Sequence, residues 1–176
     1  MRALLELLER DGDLRPTAHQ VARRAGVSRR ALYLHFDSLE ELFATAAQQR
    51  AAEACAEWRT LPPEMPLAER IDTFTRRWAD LCETLLPLRK GGAIYEPFSV
   101  PVAATFDRTR RWARSAIELV FLPELTTCAP SGREDCRTAL HHITSWSAWD
   151  DLRRQGASVE TARATVQLLL TRLFVT

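Results

Sequence analysis

Between Arg15 and Phe36 the chain carries five arginines, at positions 15, 23, 24, 29 and 30, and no carboxylate. Over its full 176 residues the charge is nearly balanced, with 24 basic and 23 acidic side chains and a formal +1. A solvated helix face ordinarily mixes signs, so a one-signed stretch in a neutral chain marks a local anion-binding surface, not a general polycation. Arginine presents a planar fork of donors that fits phosphate oxygens and, in a major groove, guanine O6 and N7. Arg29 and Arg30 are therefore the candidates for direct base readout, and His19 offers a further base contact. Thr17, Ser28, Tyr33 and His35 carry hydroxyl or imidazole donors suited to phosphate oxygens.

The elements that must position these side chains follow from short-range signals. Thr17 with Gln20 three residues on is a capping box, and Pro16 just ahead keeps the chain out of helix before the cap. A helix starting there stops where Gly26 supplies a left-handed residue and Val27 folds back toward Ala22. Ser28 caps the next helix. At 100° per residue that helix puts Leu32 and Phe36 on one face, Arg30 and Leu34 on the opposite side, and Arg29 and Tyr33 on a flank. One face docks and the other is free to enter a groove. Two helices joined by so tight a turn cross steeply, as in a helix-turn-helix.

The residues Thr17, Val21-Ala22, Ala25-Gly26-Val27-Ser28, Leu32-Tyr33-Leu34-His35-Phe36 and Ser38-Leu39-Glu40-Glu41-Leu42 resemble, in type and spacing, the DNA-binding segment of the tetracycline-repressor (TetR) family. In that family the matching positions make the base and phosphate contacts described above. One position departs from the pattern: Leu39 stands where a lysine usually follows the serine, which removes an expected phosphate contact. Family members also carry several residues, in some a basic arm, ahead of the first helix seen here. Either this start is trimmed or the arm is lacking; Leu39 implies a lighter grip on the DNA backbone, and a missing arm would lighten it further.

Leu4, Leu5 and Leu8 mark one face of a first helix ending near Gly12, which closes a three-helix unit over Val21, Leu32 and Phe36. Ser38 and Glu41 form a second capping box opening a long helix toward Trp58. The prolines of 61–66 break it. A new 3.6-residue period then runs through Leu67, Ile71, Phe74, Trp78, Leu81 and Leu85. Pro87 is expected to end that helix, with residues 90–101 irregular. A helix from Val102 to Leu122 carries Arg108, Arg110, Arg111 and Arg114, which read as a solvated or ion-paired face. A third capping box at Ser131 and Glu134 begins a helix to about Arg154, Gly156 ends it, and Ser158 caps a final helix. No strand pattern appears. The expected fold is all-α: a helix-turn-helix DNA-binding domain at residues 1–50, then a helical effector-binding and dimerisation domain at residues 51–176.

The last two helices are apolar over more than one stripe, which calls for a core on one side and a partner on the other. A homodimer through a four-helix bundle meets that need. Two readers held roughly 34 to 36 Å apart reach successive major grooves and impose a near-palindromic double-stranded operator. Trp78, Tyr95, Phe98, Trp112 and Trp146 lie on or beside the middle helices where the family places its pocket, and are the candidates to line a site for a small, mostly apolar effector. The expectation is a homodimeric repressor released by that ligand. Two alternatives stay open: an activator of the same fold, and a thiol-based redox-sensing regulator, for which Cys136 beside Arg137 is the candidate.

An enzyme reading lacks a constellation. His141, His142, Cys136 and Asp150 form the one tempting cluster, and adjacent helical histidines point about 100° apart, so they do not converge on one ion. No catalytic residue, cofactor or metal is expected. Cys55, Cys82, Cys128 and Cys136 show no C-x-x-C spacing and read as free structural thiols. No apolar run approaches the ~20 residues that span a bilayer, and the N-terminus has no signal-peptide profile, so a cytoplasmic protein without membrane contact is expected.

Overall fold

The computed structural model describes residues 1–56, 58–129 and 132–175. Those residues form helices and no strand: α1 (Arg2–Glu9), α2 (Ala18–Ala25), α3 (Arg29–Tyr33), α4 (Leu39–Ala56), α5 (Leu67–Tyr95), α6 (Val100–Val120), α7 (Leu122–Thr127), α8 (Arg133–Ile143), α9 (Trp146–Arg154) and α10 (Val159–Phe174). They gather into two compact units, each built from two stretches of chain: Met1–Glu57 with Thr84–Arg110, and Trp58–Glu83 with Arg111–Thr176. Among the described residues no helix is long and apolar enough to cross a membrane.

The first unit is built around the hydrophobic faces of four helices. Leu4, Leu7 and Leu8 of α1, Val21 of α2, Leu32 of α3 and Leu42, Phe43, Ala46 and Ala47 of α4 are buried together with Leu88, Val102 and Phe106. Leu5 and Phe36 pack against this core only in part. Ion pairs at its edge tie Arg24 to Asp11 and Glu6, and Arg50 to Glu9.

Pro87 does not end α5; it lies inside a 29-residue helix. A proline in a helix interior costs about 3 kcal/mol through a lost N–H and a ring clash. The cost is offset here because Leu85, Leu86 and Leu88 around it are all buried. The stretch expected to be irregular is helical as far as Tyr95 for a related reason. Gly91 and Gly92 are contact points, not breakers: a Cβ on Gly91 would lie 2.8 Å from Leu8 Cδ2, and one on Gly92 would run into the Phe106 ring. Only hydrogen lets α5 approach α1 and α6 so closely.

The second unit is centred on aromatic rings. Trp58 meets Phe74, Trp78 and Trp112 edge-on at centroid distances of 5.9, 6.4 and 6.0 Å. Phe74 stacks on Trp78 and Trp78 leans on Trp146 at 5.0 Å, while Phe121 links Phe74 to Phe174. Polar ties close the unit. Buried Arg70 pairs with Glu124 and donates to the Val120 carbonyl at 3.2 Å. The Glu83 carboxylate accepts from Trp149 Nε1 at 2.8 Å and Arg153 Nε at 2.9 Å. Arg163 meets Asp72 at 3.1 Å.

The helix expected to reach Arg154 without interruption is two. Thr144 Oγ1 donates to the Leu140 carbonyl, and Ser145 Oγ accepts the Ala148 amide at 3.1 Å, so α8 stops and α9 starts with its own cap. Ser131, expected to cap this region, lies outside the described residues. Gly156 takes a left-handed φ of +88° after α9, and Ser158 caps α10 by accepting from the Thr161 amide. The helix expected to end at Leu122 stops at Val120, because Pro123 falls in the first turn of α7 and cannot prolong α6.

Candidate nucleic-acid interface

The capping box is complete. Thr17 Oγ1 accepts from the Gln20 amide at 3.2 Å, and Gln20 Oε1 accepts from the Thr17 amide at 2.8 Å. Gly26, at φ +69°, closes α2, and the Val27 amide donates to the Ala22 carbonyl at 3.0 Å, the bond that turns the chain sharply. Ser28 Oγ then accepts the Ala31 amide at 3.0 Å and opens α3. Val21 of α2 and Leu32 of α3 are buried together with residues of α1 and α4 and anchor the pair there, and Ala22 of α2 is buried as well. Everything from Arg23 to Arg30 is left exposed.

Five of the seven predicted contact residues, Ser28, Arg29, Arg30, Tyr33 and His35, fall on this turn and on or just past α3, and all five are exposed. Thr17 and His19 stand exposed at the start of α2. The Thr17 hydroxyl already donates to Gln20 Oε1 at 2.7 Å, so its proton is engaged inside the fold. The arginines divide. Arg24 is held by Asp11 and Glu6 and serves the fold. Among the described residues no ion pair engages Arg23, Arg29 or Arg30. A cation exposed without a carboxylate partner gives a local positive field, to which phosphates are drawn.

α3 is shorter than the pattern suggests. It ends at Tyr33, and His35 and Phe36 continue as a turn whose amides still bond back to the Leu32 carbonyl at 3.2 Å. Leu34, which the charge pattern passes over, is 75 % exposed one helical turn beyond Arg30. Its signal was present in the sequence as an apolar residue on the face away from Leu32. Leu39, where a lysine was expected, is half-buried and packs against the core of the first unit. It supplies packing at the start of α4 where a lysine would supply charge.

The aromatic pocket candidates divide between the units. Trp78 and Trp146 are buried in the ring cluster of the second unit, and Trp112 touches Trp58 there. The indole N–H groups of Trp58, Trp78 and Trp146 are buried without an acceptor. Tyr95 and Phe98 instead line a cleft of ≈ 390 Å³ in the first unit, with Arg15, Glu40, Ile94 and Ser99. Burial, then the Glu40 carboxylate, pushes the Tyr95 phenol up. His141 Nε2 lies 2.9 Å from Glu118, whereas its neighbour His142 is exposed. In the arginine cluster of α6, Arg110 pairs with Glu96 and Asp107, and Arg108 bonds to Gln48 at 3.0 Å.

Residues 1–46 match the family model of the bacterial regulatory proteins of the tetR family. No curated protein matches the chain. Among solved structures, the candidate transcriptional regulator SCO7518 from Streptomyces coelicolor A3(2) is 18 % identical, with a TM-score of 0.53 over 99 % of this chain and 95 % of that one. At that identity the likeness concerns the fold alone. The helix-turn-helix geometry and the family match agree on the same residues: residues 1–46 form a helix-turn-helix DNA-binding domain of the kind found in the bacterial regulatory proteins of the tetR family.

Proposed function

We propose that the protein is a homodimeric repressor whose operator is read by Arg29 and Arg30 and which lets go of that operator when a small, mostly apolar ligand binds. The observation that carries this reading is the exposed run from Arg23 to Arg30, with Arg29 and Arg30 unpaired just past the Ser28 cap. Their guanidinium forks suit guanine edges, and His19 adds a base contact. Ser28, Tyr33 and His35 suit phosphate oxygens, and Thr17 sets the entry of α2 and exposes its first amides to the backbone. Leu34, apolar and exposed on the Arg30 side, suits a thymine methyl. Residues 1–50 act as the reader and residues 51–176 as the body that binds effector and partner.

α8 packs on α10, and α10 leaves Leu168 and Leu169 exposed at 56 % and 44 %. An isologous four-helix bundle through this region covers them and sets the spacing of two readers on a near-palindromic site. Within the body, the acceptorless indoles of Trp58, Trp78 and Trp146 support an effector that is apolar but bears a hydrogen-bond acceptor, because a buried donor left unpaired costs about 1 to 3 kcal/mol. Trp112 is the remaining lining candidate in this cluster, and Tyr95 and Phe98 are candidates in the cleft of the first unit. Binding of such a ligand and binding of operator oppose each other reciprocally, with coupling typically ~1 to 3 kcal/mol.

Selection of bound sequences from a random DNA pool, followed by a ligand screen for release of the selected site, tests the reading. Enrichment of a near-palindrome is expected, along with a small molecule that both releases it and quenches tryptophan fluorescence. A pool that shows no enrichment would refute it.

A further inference from the structure

Cys128 closes α7 and Cys136 lies in the first turns of α8, and their sulfurs are 3.1 Å apart. We propose that Cys128 and Cys136 form a reversible oxidation site, which a hydroperoxide converts into an intramolecular disulfide. In sequence, Cys136 is a redox candidate for its basic neighbour Arg137; the structure brings it a second sulfur.

Three observations favour this pair over the other thiols. Both sulfurs sit on half-exposed residues, within reach of a small oxidant, whereas Cys82 is fully buried. Burial, reinforced by Glu83, pushes the Cys82 thiol well up, and burial pushes Cys55 up to about 11, so neither readily yields the reactive thiolate. The Cys136 thiol is also raised, but chiefly by its hydrogen bond with Cys128, so a proton is shared between two sulfurs already in contact. The junction is held independently of the sulfurs, because Arg133 Nη2 of α8 donates to the Thr126 carbonyl of α7 at 3.3 Å. Forming a bond of ~2.05 Å requires the sulfurs to close by roughly 1 Å, which side-chain torsions provide.

In the first step one thiolate attacks the peroxide O–O bond. That bond breaks, the sulfur becomes a sulfenic acid, and the remaining oxygen leaves as alcohol, or as water from hydrogen peroxide. The second sulfur then attacks the sulfenic sulfur, an S–S bond forms, and the sulfenic oxygen leaves as water. The two thiols give up two electrons and two protons, and the hydroperoxide takes them up. A cellular thiol reverses the step by exchange through a mixed disulfide.

The test needs no DNA, so its outcome is separate from that of the repressor reading. The full-length reduced protein is exposed to hydrogen peroxide at about one equivalent. It is then denatured, its free thiols are alkylated, and peptide mass spectrometry maps every cysteine. A linked Cys128–Cys136 peptide lacking two hydrogens is expected, with Cys55 and Cys82 alkylated and all four thiols recovered after reduction. C128S and C136S should each abolish the link and leave a sulfenic acid on the surviving partner, trapped by dimedone. Alkylation of both cysteines after peroxide, disulfides only between chains, or over-oxidation without a link would each overturn the proposal. The native protein decides the matter even if a serine variant fails to fold.

Discussion

Residues 17–38 hold their shape through bonds between near neighbours, Thr17 with Gln20, Ser28 with Ala31 and Ser38 with Glu41, whereas the second unit is tied by side chains far apart in the chain. There Arg70 reaches Glu124, Glu83 reaches Trp149 and Arg153, and Asp72 reaches Arg163. Caps are worth about 1 kcal/mol each and sit at the surface, so the reader is assembled from small local terms and keeps its cations in water. The second unit rests on a few buried interactions, each of which is expensive to halve. The reading surface should therefore change specificity without changing stability, and the second unit should do the reverse.

The largest effect is expected where a buried charge loses its partner. Glu124→Leu leaves Arg70, 2 % exposed, without its counter-ion and should cost about 3 to 5 kcal/mol in denaturant unfolding. A loss below about 1 kcal/mol would mean that the carbonyls alone satisfy Arg70. Next comes Gly92→Ala in the first unit. Helix propensity alone predicts a gain of about 1 kcal/mol, but the new methyl meets the Phe106 ring, and overpacking costs about 1 to 3 kcal/mol. Net destabilisation is expected, and a rise in Tm would show that α5 and α6 separate easily.

Arg30→Ala tests the other side of the contrast. It should lower operator affinity by about 1 to 3 kcal/mol and relax preference at one base position, with an unchanged unfolding midpoint. Equal weakening on every sequence would reassign Arg30 to a phosphate. The smallest overall effect is expected for Thr17→Ala, a loss of about 1 kcal/mol of stability, because the capping box loses its hydroxyl while Gln20 remains. If Thr17→Ala costs more than Glu124→Leu, the contrast between local and long-range construction fails.

The caps, the turn at Gly26 and the exposed arginines were legible in advance because each depends on residues within about four positions of one another. The boundaries that misled were those where packing overrides a local signal. Pro87 reads as a stop and Gly91-Gly92 as a loop, yet buried neighbours and a close approach to Leu8 and Phe106 keep α5 helical. Arg24 is indistinguishable from Arg23 by type, and only the placement of Asp11 and Glu6 removes it from the reading surface. Leu39 looks like a lost contact until its packing against the core is seen. The missing break at Ser145 had a signal, a serine three residues before Ala148, which the continuous apolar pattern masked.

The amino-acid sequence alone determined that the chain is helical, where its DNA-binding helices begin and turn, and which cations face outward, since helix periodicity and capping act over a few residues. Tertiary structure alone decided which arginines stay unpaired, why α5 passes through a proline, which indoles lie buried without an acceptor, and that Cys128 meets Cys136. Those outcomes depend on contacts between side chains whose separation in space no local rule encodes.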